Sequence, residues 1–162
     1  MTIFHLMHIV HLVTVVLWIG GLAFVTAFIL PMVIKMPDAL SKVLLFQRVE
    51  HRCAPVAKVF NIITGATGFV MVFVMGWQSL YFTKAGIALT FMTAVWLLWF
   101  IMLVGLEPIV IKKMLDRMAR DGAKMDIDGI FRKVNKLHWM LLMLSILAII
   151  AGSIVAHGPF FI

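Results

Sequence analysis

Six histidines are the residues of this chain best suited to chemistry, and three of them lie close together near the N-terminus. His5, His8 and His11 follow one another at intervals of three. On a helix, at about 100° per residue, this spacing spreads them over about 120° of one face. Imidazole nitrogens bind iron, copper and zinc, and they exchange protons near neutral pH. The N-terminal segment therefore offers several candidate ligands on one side.

Four apolar stretches must position these histidines. Each has the roughly 20 residues that a helix needs to cross the hydrocarbon core of a bilayer, and none contains Asp, Glu, Lys or Arg. The stretches are Phe4 to Ile34, Val59 to Thr83, Ala85 to Leu106 and Leu137 to Ile162. Because backbone groups in lipid must be hydrogen-bonded within their own segment, we expect an all-α integral membrane protein. Short connections between the stretches predict an antiparallel bundle of four transmembrane helices.

The expected organisation is a single transmembrane domain over residues 1–162, with helices at about 4–34, 55–80, 84–110 and 136–158. A short interfacial helix is expected at Ser41 to Glu50, and Pro55 is suited to the first turn of the second helix. The first apolar run lacks a basic leader and is longer than the apolar part of a signal peptide, so we expect it to be retained.

The basic residues predict the orientation of the bundle. Charged residues make up 13% of the chain, against about 25% in soluble domains, and 13 of the 14 Lys and Arg residues lie in two of the three connections. They are Lys35, Lys42, Arg48, Arg52 and Lys58 in the first, and Lys112, Lys113, Arg117, Arg120, Lys124, Arg132, Lys133 and Lys136 in the third. By the positive-inside rule both connections are cytoplasmic, which gives an N-out, C-out protein, expected in a bacterial inner membrane.

The net charge of +7 does not indicate a nucleic-acid partner. Between Lys112 and Lys136 the basic residues are mixed with four aspartates, namely Asp116, Asp121, Asp126 and Asp128. We expect this segment to be a partly helical link at the membrane surface and not a nucleic-acid module.

An antiparallel bundle places the histidines in two layers. His157, at the outer end of the fourth helix, reaches the depth of the first two turns of helix 1. His51 and His138 lie together near the cytoplasmic surface. His5 and His51 are also suited to headgroups or water, whereas His8, His11, His138 and His157 are favoured as functional, because ionisable groups within a membrane are costly.

Haem iron is the metal that this pattern fits best, since imidazoles on facing helices commonly hold haem in bundle cores. A structural zinc site would need four close ligands, and the outer layer has no Cys or carboxylate. Copper(I) stays open because the chain has 13 methionines, whose thioethers are soft ligands. Their scatter around the helices favours packing as their main role.

A motif in helix 1 adds a resemblance to a known family. His11 is followed seven positions later by Trp18 and then by Gly20-Gly21. This run resembles the first-helix signature shared by copper-resistance D-like membrane proteins and HemJ-type protoporphyrinogen oxidases. Matches to the HemJ-type pattern continue in order over all four helices, with Glu50 and Arg52, Lys84, and Phe131-Arg132 with Asn135.

In the HemJ-type family the first-helix histidine and the third-helix lysine are required for function, and the protein binds haem b. The resemblance therefore implies that His11 is an iron ligand and that Lys84 lies near the carboxylates of haem or substrate. Trp18 lies about two turns from His11 on the same helix face.

The chain also departs from the HemJ-type pattern at three places. Thr26 to Phe28 stand where the family has an arginine after the first-helix glycine, and Val95-Trp96 where it has a histidine. Lys136 to His138 replace its acidic-plus-proline sequence. These departures argue against the same oxidase activity and leave the haem-binding bundle intact.

The function expected from these patterns is that of a membrane b-type cytochrome that transfers electrons and holds one or two haems b. The outer ligands would be His8 or His11 with His157, and the inner ligands His51 with His138. A quinone, a porphyrin or a redox protein would be the partner, and homo-oligomerisation stays open. The alternatives are a haem-dependent oxidoreductase, copper transport or resistance, and a purely structural membrane subunit.

Overall fold

The structure of the protein, a computed structural model, describes residues 2–106 and 126–157. Its four long helices are α1 (Ile3–Ile34), α2 (Ala39–Val74), α3 (Ile87–Ile101, continued by a π-helical segment at Met102–Leu106) and α4 (Ile127–His157). A short 3-10 turn at Trp77–Leu80 follows α2. No strand occurs within the described residues. All four helices are long and apolar enough to cross a membrane, which confirms the prediction of four apolar helices.

The second helix begins earlier than its sequence predicts. We expected a separate interfacial helix and then a start at Pro55, but α2 runs without a break from Ala39 to Val74 with Pro55 inside it. The contact of its N-terminal part with α4 explains the difference, because Val43 is buried there against Ile127 and Phe131. Tertiary packing therefore outweighs the local signal of the proline.

Asp38 caps the start of α2. Its carboxylate accepts hydrogen bonds from the Ser41 backbone N–H at 2.8 Å and from Ser41 Oγ at 2.7 Å. These bonds hold the pKa of Asp38 below its ordinary value. The cap therefore stabilises α2 at neutral pH, and its contribution is lost as the pH falls through that lowered pKa.

The remaining boundaries also differ from the expected ones. α3 begins at Ile87 and not at residue 84, and its predicted extension from 107 to 110 lies outside the described residues. α4 begins at Ile127 and not at residue 136. At this observed start, Asp126 Oδ1 accepts a hydrogen bond from the Gly129 backbone N–H at 2.8 Å. The part of the predicted surface link from 112 to 125 and residue 158 of the fourth helix also lie outside the described residues.

Two clusters of buried side chains hold the helices together, one around Val43 and Phe131 as described above and one at the centre of the bundle. α1 packs mainly on α2, and α3 mainly on α4. The central cluster contains Trp18 and Ile19 of α1, Val95 and Trp99 of α3, and Leu141 of α4. Many other large apolar side chains on all four helices are exposed. Such a surface would be unfavourable in water and is suited to lipid.

An ion pair joins the N-terminal end of α2 to the start of α4. Lys42 is 5% exposed, and its ammonium group donates a hydrogen bond to Asp128 Oδ1. Lys42 is one of the basic residues used to predict orientation, so one of those charges also has a packing role.

The Asp128→Asn variant is expected to be less stable than the Lys42→Met variant. Removing the carboxylate leaves the Lys42 charge in the helix contact without its counter-ion, whereas methionine keeps the apolar stem of the lysine and removes the charge. Thermal unfolding of both variants in the same detergent measures the difference. Equal melting temperatures would show that the pair is no more than a solvated contact.

Candidate cofactor site

Among the described residues, two partly open cavities lie along the length of α1. The large cavity has a volume of about 550 Å³ and the small cavity about 290 Å³. His8 and His11 line the large cavity, which is bounded by all four helices. His138 lines the small cavity. The structure therefore separates these histidines into two groups.

His11 is held in one orientation by α2. Its Nδ1 lies 2.9 Å from the carbonyl oxygen of Thr64 and 3.1 Å from Thr67 Oγ1. A carbonyl oxygen can only accept, so Nδ1 carries the proton and donates it to Thr64. In the neutral imidazole, Nε2 then carries the free lone pair, which is the state needed to bind a metal.

A small residue on α2, Gly68, leaves the space that the His11 ring occupies. A Cβ added at Gly68 would lie 3.2 Å from His11 Cε1 and 3.5 Å from its Nδ1, so a larger residue would push the ring. Thr64 Oγ1 also donates to Thr14 Oγ1 at 2.9 Å, one turn along α1. These contacts hold α1 and α2 together at the level of His11.

The other two N-terminal histidines differ from His11 in their surroundings. His8 lines the large cavity and lies beside Phe4, with the ring centroids 5.8 Å apart. His5 is exposed, is hydrogen-bonded to Thr2 and lines neither cavity. The structure thus brings His8 and His11 to one cavity and leaves His5 outside it.

His157 is the last described residue of α4, and the structure describes only its backbone. Ser153, one turn earlier, and Ala156 line the large cavity. The backbone of His157 therefore lies at the end of the part of α4 that lines the large cavity.

Lys84 is exposed and lines neither cavity. Trp77 and Tyr81, from the same connection between α2 and α3, do line the large cavity. Tyr81 Oη is hydrogen-bonded to Thr93 Oγ1 of α3 at 3.1 Å. Aromatic side chains, and not the lysine, therefore form the wall contributed by this connection.

The two inner histidines are not brought together in one site. His138 Nδ1 lies 3.0 Å from the carbonyl oxygen of Val134, one turn earlier on α4. His51 is exposed and lines neither cavity, although its neighbours Glu50, Arg52 and Cys53 line the small one. The expected His51 and His138 pair therefore has only one member at the small cavity.

Trp18 lies between the two cavities and lines both. Its ring packs edge to face on Trp99, with the centroids 5.7 Å apart. The Trp99 indole N–H donates to Ser145 Oγ at 3.0 Å. Trp99 lines the small cavity and Ser145 the large one, so these three residues form a thin partition between them.

The sequence alone did not indicate that Thr64 and Thr67 of α2 hold His11, or that the amide of Asn61 is buried. Asn61 is 1% exposed, and neither its Oδ1 nor its Nδ2 has a hydrogen-bond partner within the described residues. It lies on α2 between Ala57, which lines the small cavity, and Thr64, which lines the large one. Buried polar groups are normally satisfied, so we expect water or a bound group beside it. A lone asparagine within an apolar stretch was the available signal.

Within residues 2–106 and 126–157, no three His, Cys, Asp or Glu side chains come together in a group that could hold a metal ion. A comparison of the chain with protein-family models, with curated proteins and with solved structures gives no match.

Proposed function

We propose that the chain is an integral membrane protein whose four helices form an antiparallel bundle. The support is the length and apolar composition of α1 to α4 and the large apolar side chains exposed around them. The basic residues of the first and third connections favour a cytoplasmic position for both, with the two termini outside and the bacterial inner membrane as the location.

The orientation can be tested with Cys53, which is the only cysteine of the chain and is exposed. In intact cells a membrane-impermeant maleimide is expected to leave Cys53 unlabelled. A Lys84→Cys variant in a Cys53→Ser background is expected to be labelled, because the connection between α2 and α3 faces outside. Labelling of Cys53 and protection of position 84 would reverse the orientation.

We propose that the large cavity binds haem b, with His11 as an axial ligand of the iron. The observation that carries this proposal is the hydrogen bond from His11 Nδ1–H to the Thr64 carbonyl oxygen, which leaves Nε2 free for a metal. Histidines that bind metals commonly donate their other N–H to a carbonyl or carboxylate, and this bond fixes the ring and raises its basicity.

The other walls of the large cavity also suit a flat macrocycle. Its volume of about 550 Å³ is within the range of ligand sites. Trp96 and Phe69 supply aromatic surface. The glycines of its wall, Gly65, Gly68 and Gly152, make room for the side chains of Trp96, His11 and Met92, which pack directly against them. His157 is the proposed second ligand, from the end of α4.

Bound haem would supply one-electron redox chemistry, and the protein would control it through its own residues. His11 and Thr64 would hold the ligand orientation, and the apolar walls would influence the potential by excluding water. If His11 and His157 both held the haem, no ligand position would be left for oxygen or substrate, so we favour electron transfer over a haem-dependent oxidase. The partner would be a quinone, a porphyrin or a redox protein, with Lys84 available to an anionic group at the outer surface.

Copper handling is the second candidate, and one observation favours it. Met71 and Met92 line the same cavity as His8 and His11, and thioether with imidazole suits Cu(I). This would connect the chain to the copper-resistance side of the family resemblance. The extent of the cavity and its aromatic walls favour haem, because a single ion needs far less space.

Cofactor content distinguishes the two candidates. The full chain is purified in detergent from cells supplied with both iron and copper, and haem and copper are measured per polypeptide. Haem at about one per chain with little copper is expected. Stoichiometric copper without pigment would favour the second candidate and overturn the first.

A further inference from the structure

The helices around the small cavity depart from regular α-helical hydrogen bonding. α1 has a π-helical segment at Val25–Ile29, and α3 has another at Met102–Leu106. Val25 and Leu103, one from each segment, line the small cavity. Such segments occur frequently at functional sites.

The third irregularity beside the small cavity is in α2. Pro55 has no N–H to donate to the carbonyl oxygen of His51, and its neighbours Ala54 and Val56 line the cavity. Three of the four helices thus give up regular backbone bonding at one place. The small cavity is therefore bordered by irregular backbone from three helices, a setting that is frequent at functional sites.

The fourth helix contributes a hydrogen-bond acceptor. His138 Nδ1–H donates to the Val134 carbonyl oxygen at 3.0 Å, so Nε2 of the neutral ring carries the free lone pair. Arg52, which is exposed, lines the same cavity and can donate to an oxygen atom. The small cavity therefore combines an acceptor, His138, with a cationic donor, Arg52, and the Glu50 carboxylate also lines it.

Aromatic side chains form part of the wall of the small cavity, and part of its lining lies on the outside of the bundle. Trp18, Phe46, Phe60 and Trp99 line it and suit a flat ring. Phe24 and Val56, which are also part of its lining, are exposed on the outside of the bundle. A ring in this cavity could therefore carry an apolar tail that extends into the bilayer.

We propose that the small cavity binds the hydroquinone ring of a membrane quinol, with one hydroxyl donating to His138 Nε2 and the other oxygen near Arg52. The volume of about 290 Å³ suits one substituted ring and is about half that of the large cavity. Binding of the ring requires no haem. The proposal is one of binding alone, and any transfer of electrons from the quinol to the large cavity would rest on the proposed haem function.

Cys53 provides a direct measurement, because it lines the small cavity and is exposed. The full chain in detergent is alkylated with N-ethylmaleimide in the presence of decylubiquinol under argon, with 1-decanol as an apolar control. Decylubiquinol is expected to slow alkylation of Cys53 in a saturable way, and 1-decanol is not. Because alkylation is the readout, absence of haem would leave this result unchanged.

Two glycines form a matched pair for the same assay. A Cβ at Gly20 or at Gly21 meets nothing within 4 Å, yet only Gly21 lines the small cavity. Gly21→Leu is expected to fill the cavity and abolish protection by decylubiquinol, whereas Gly20→Leu keeps it. His138→Ala is expected to weaken protection about fivefold, the effect of losing one hydrogen bond, with His51→Ala as the control.

The proposal is overturned if decylubiquinol gives no saturable protection, or if 1-decanol protects Cys53 equally well. Unchanged protection in Gly21→Leu would also overturn it, as would equal effects of His138→Ala and His51→Ala.

Discussion

The His11→Ala variant is expected to lose its haem, falling from about one haem per chain to less than a tenth of that amount. His11 is held by Thr64 with Nε2 free, so under the proposed function the substitution would remove the ligand atom itself. Loss of a coordinate bond is worth far more than the packing of one partly exposed side chain. The four helices should remain inserted, because most of their apolar surface is untouched.

The matched controls for His11→Ala are the other histidines of the same helix. His5 is exposed and outside both cavities, so His5→Ala is expected to keep full haem. His8→Ala tests a neighbour that shares the cavity. Haem per polypeptide and the absorption spectrum are measured for all three variants, with His138→Ala and His157→Ala purified in parallel. Full haem with an unchanged low-spin spectrum in His11→Ala would make His8 the next candidate.

The Gly65→Ala variant is expected to be markedly destabilised. An added Cβ would overlap the indole ring of Trp96, which is rigid and is fixed by its N–H donating to the Asn61 carbonyl oxygen at 2.9 Å. The ring must move and give up this bond, or α2 and α3 must separate. Overpacking of this kind costs about 1–3 kcal/mol, and both Gly65 and Trp96 line the large cavity, so haem content should fall as well.

Gly20→Ala is the control for Gly65→Ala, because a Cβ at Gly20 meets nothing within 4 Å. It adds the same methyl group to a helical glycine that has no neighbouring ring. Thermal unfolding in one detergent is expected to give a lower melting temperature for Gly65→Ala and little change for Gly20→Ala. If the two variants unfold together, Gly65 is not needed for close packing against Trp96.

The apolar helices were predictable from sequence because membrane-spanning segments have a strong and local signal. Runs without charge, of the length set by the bilayer, are enough to locate them. The continuous α2 was not predictable in the same way, since Pro55 locally favours the first turn of a new helix. The burial of Val43 against Ile127 and Phe131 outweighs this local preference. It is a contact between distant parts of the chain, which a local pattern does not reveal.

The candidate site was predictable in part. Spacing alone placed His8 and His11 on one face, and the structure puts both at one cavity. Spacing could not show that Thr64 would hold His11 or that His51 would lie outside the small cavity. Those outcomes depend on the rotation of each helix about its own axis, which packing between helices decides.

The haem proposal is tested most directly by the reduced-minus-oxidised absorption spectrum of the purified wild-type chain. Ligation by His11 and His157, as proposed, predicts the narrow α band and shifted Soret band of a low-spin b-type haem, in an amount equal to the protein. A colourless protein, or one that contains stoichiometric copper and shows no haem bands, would contradict it.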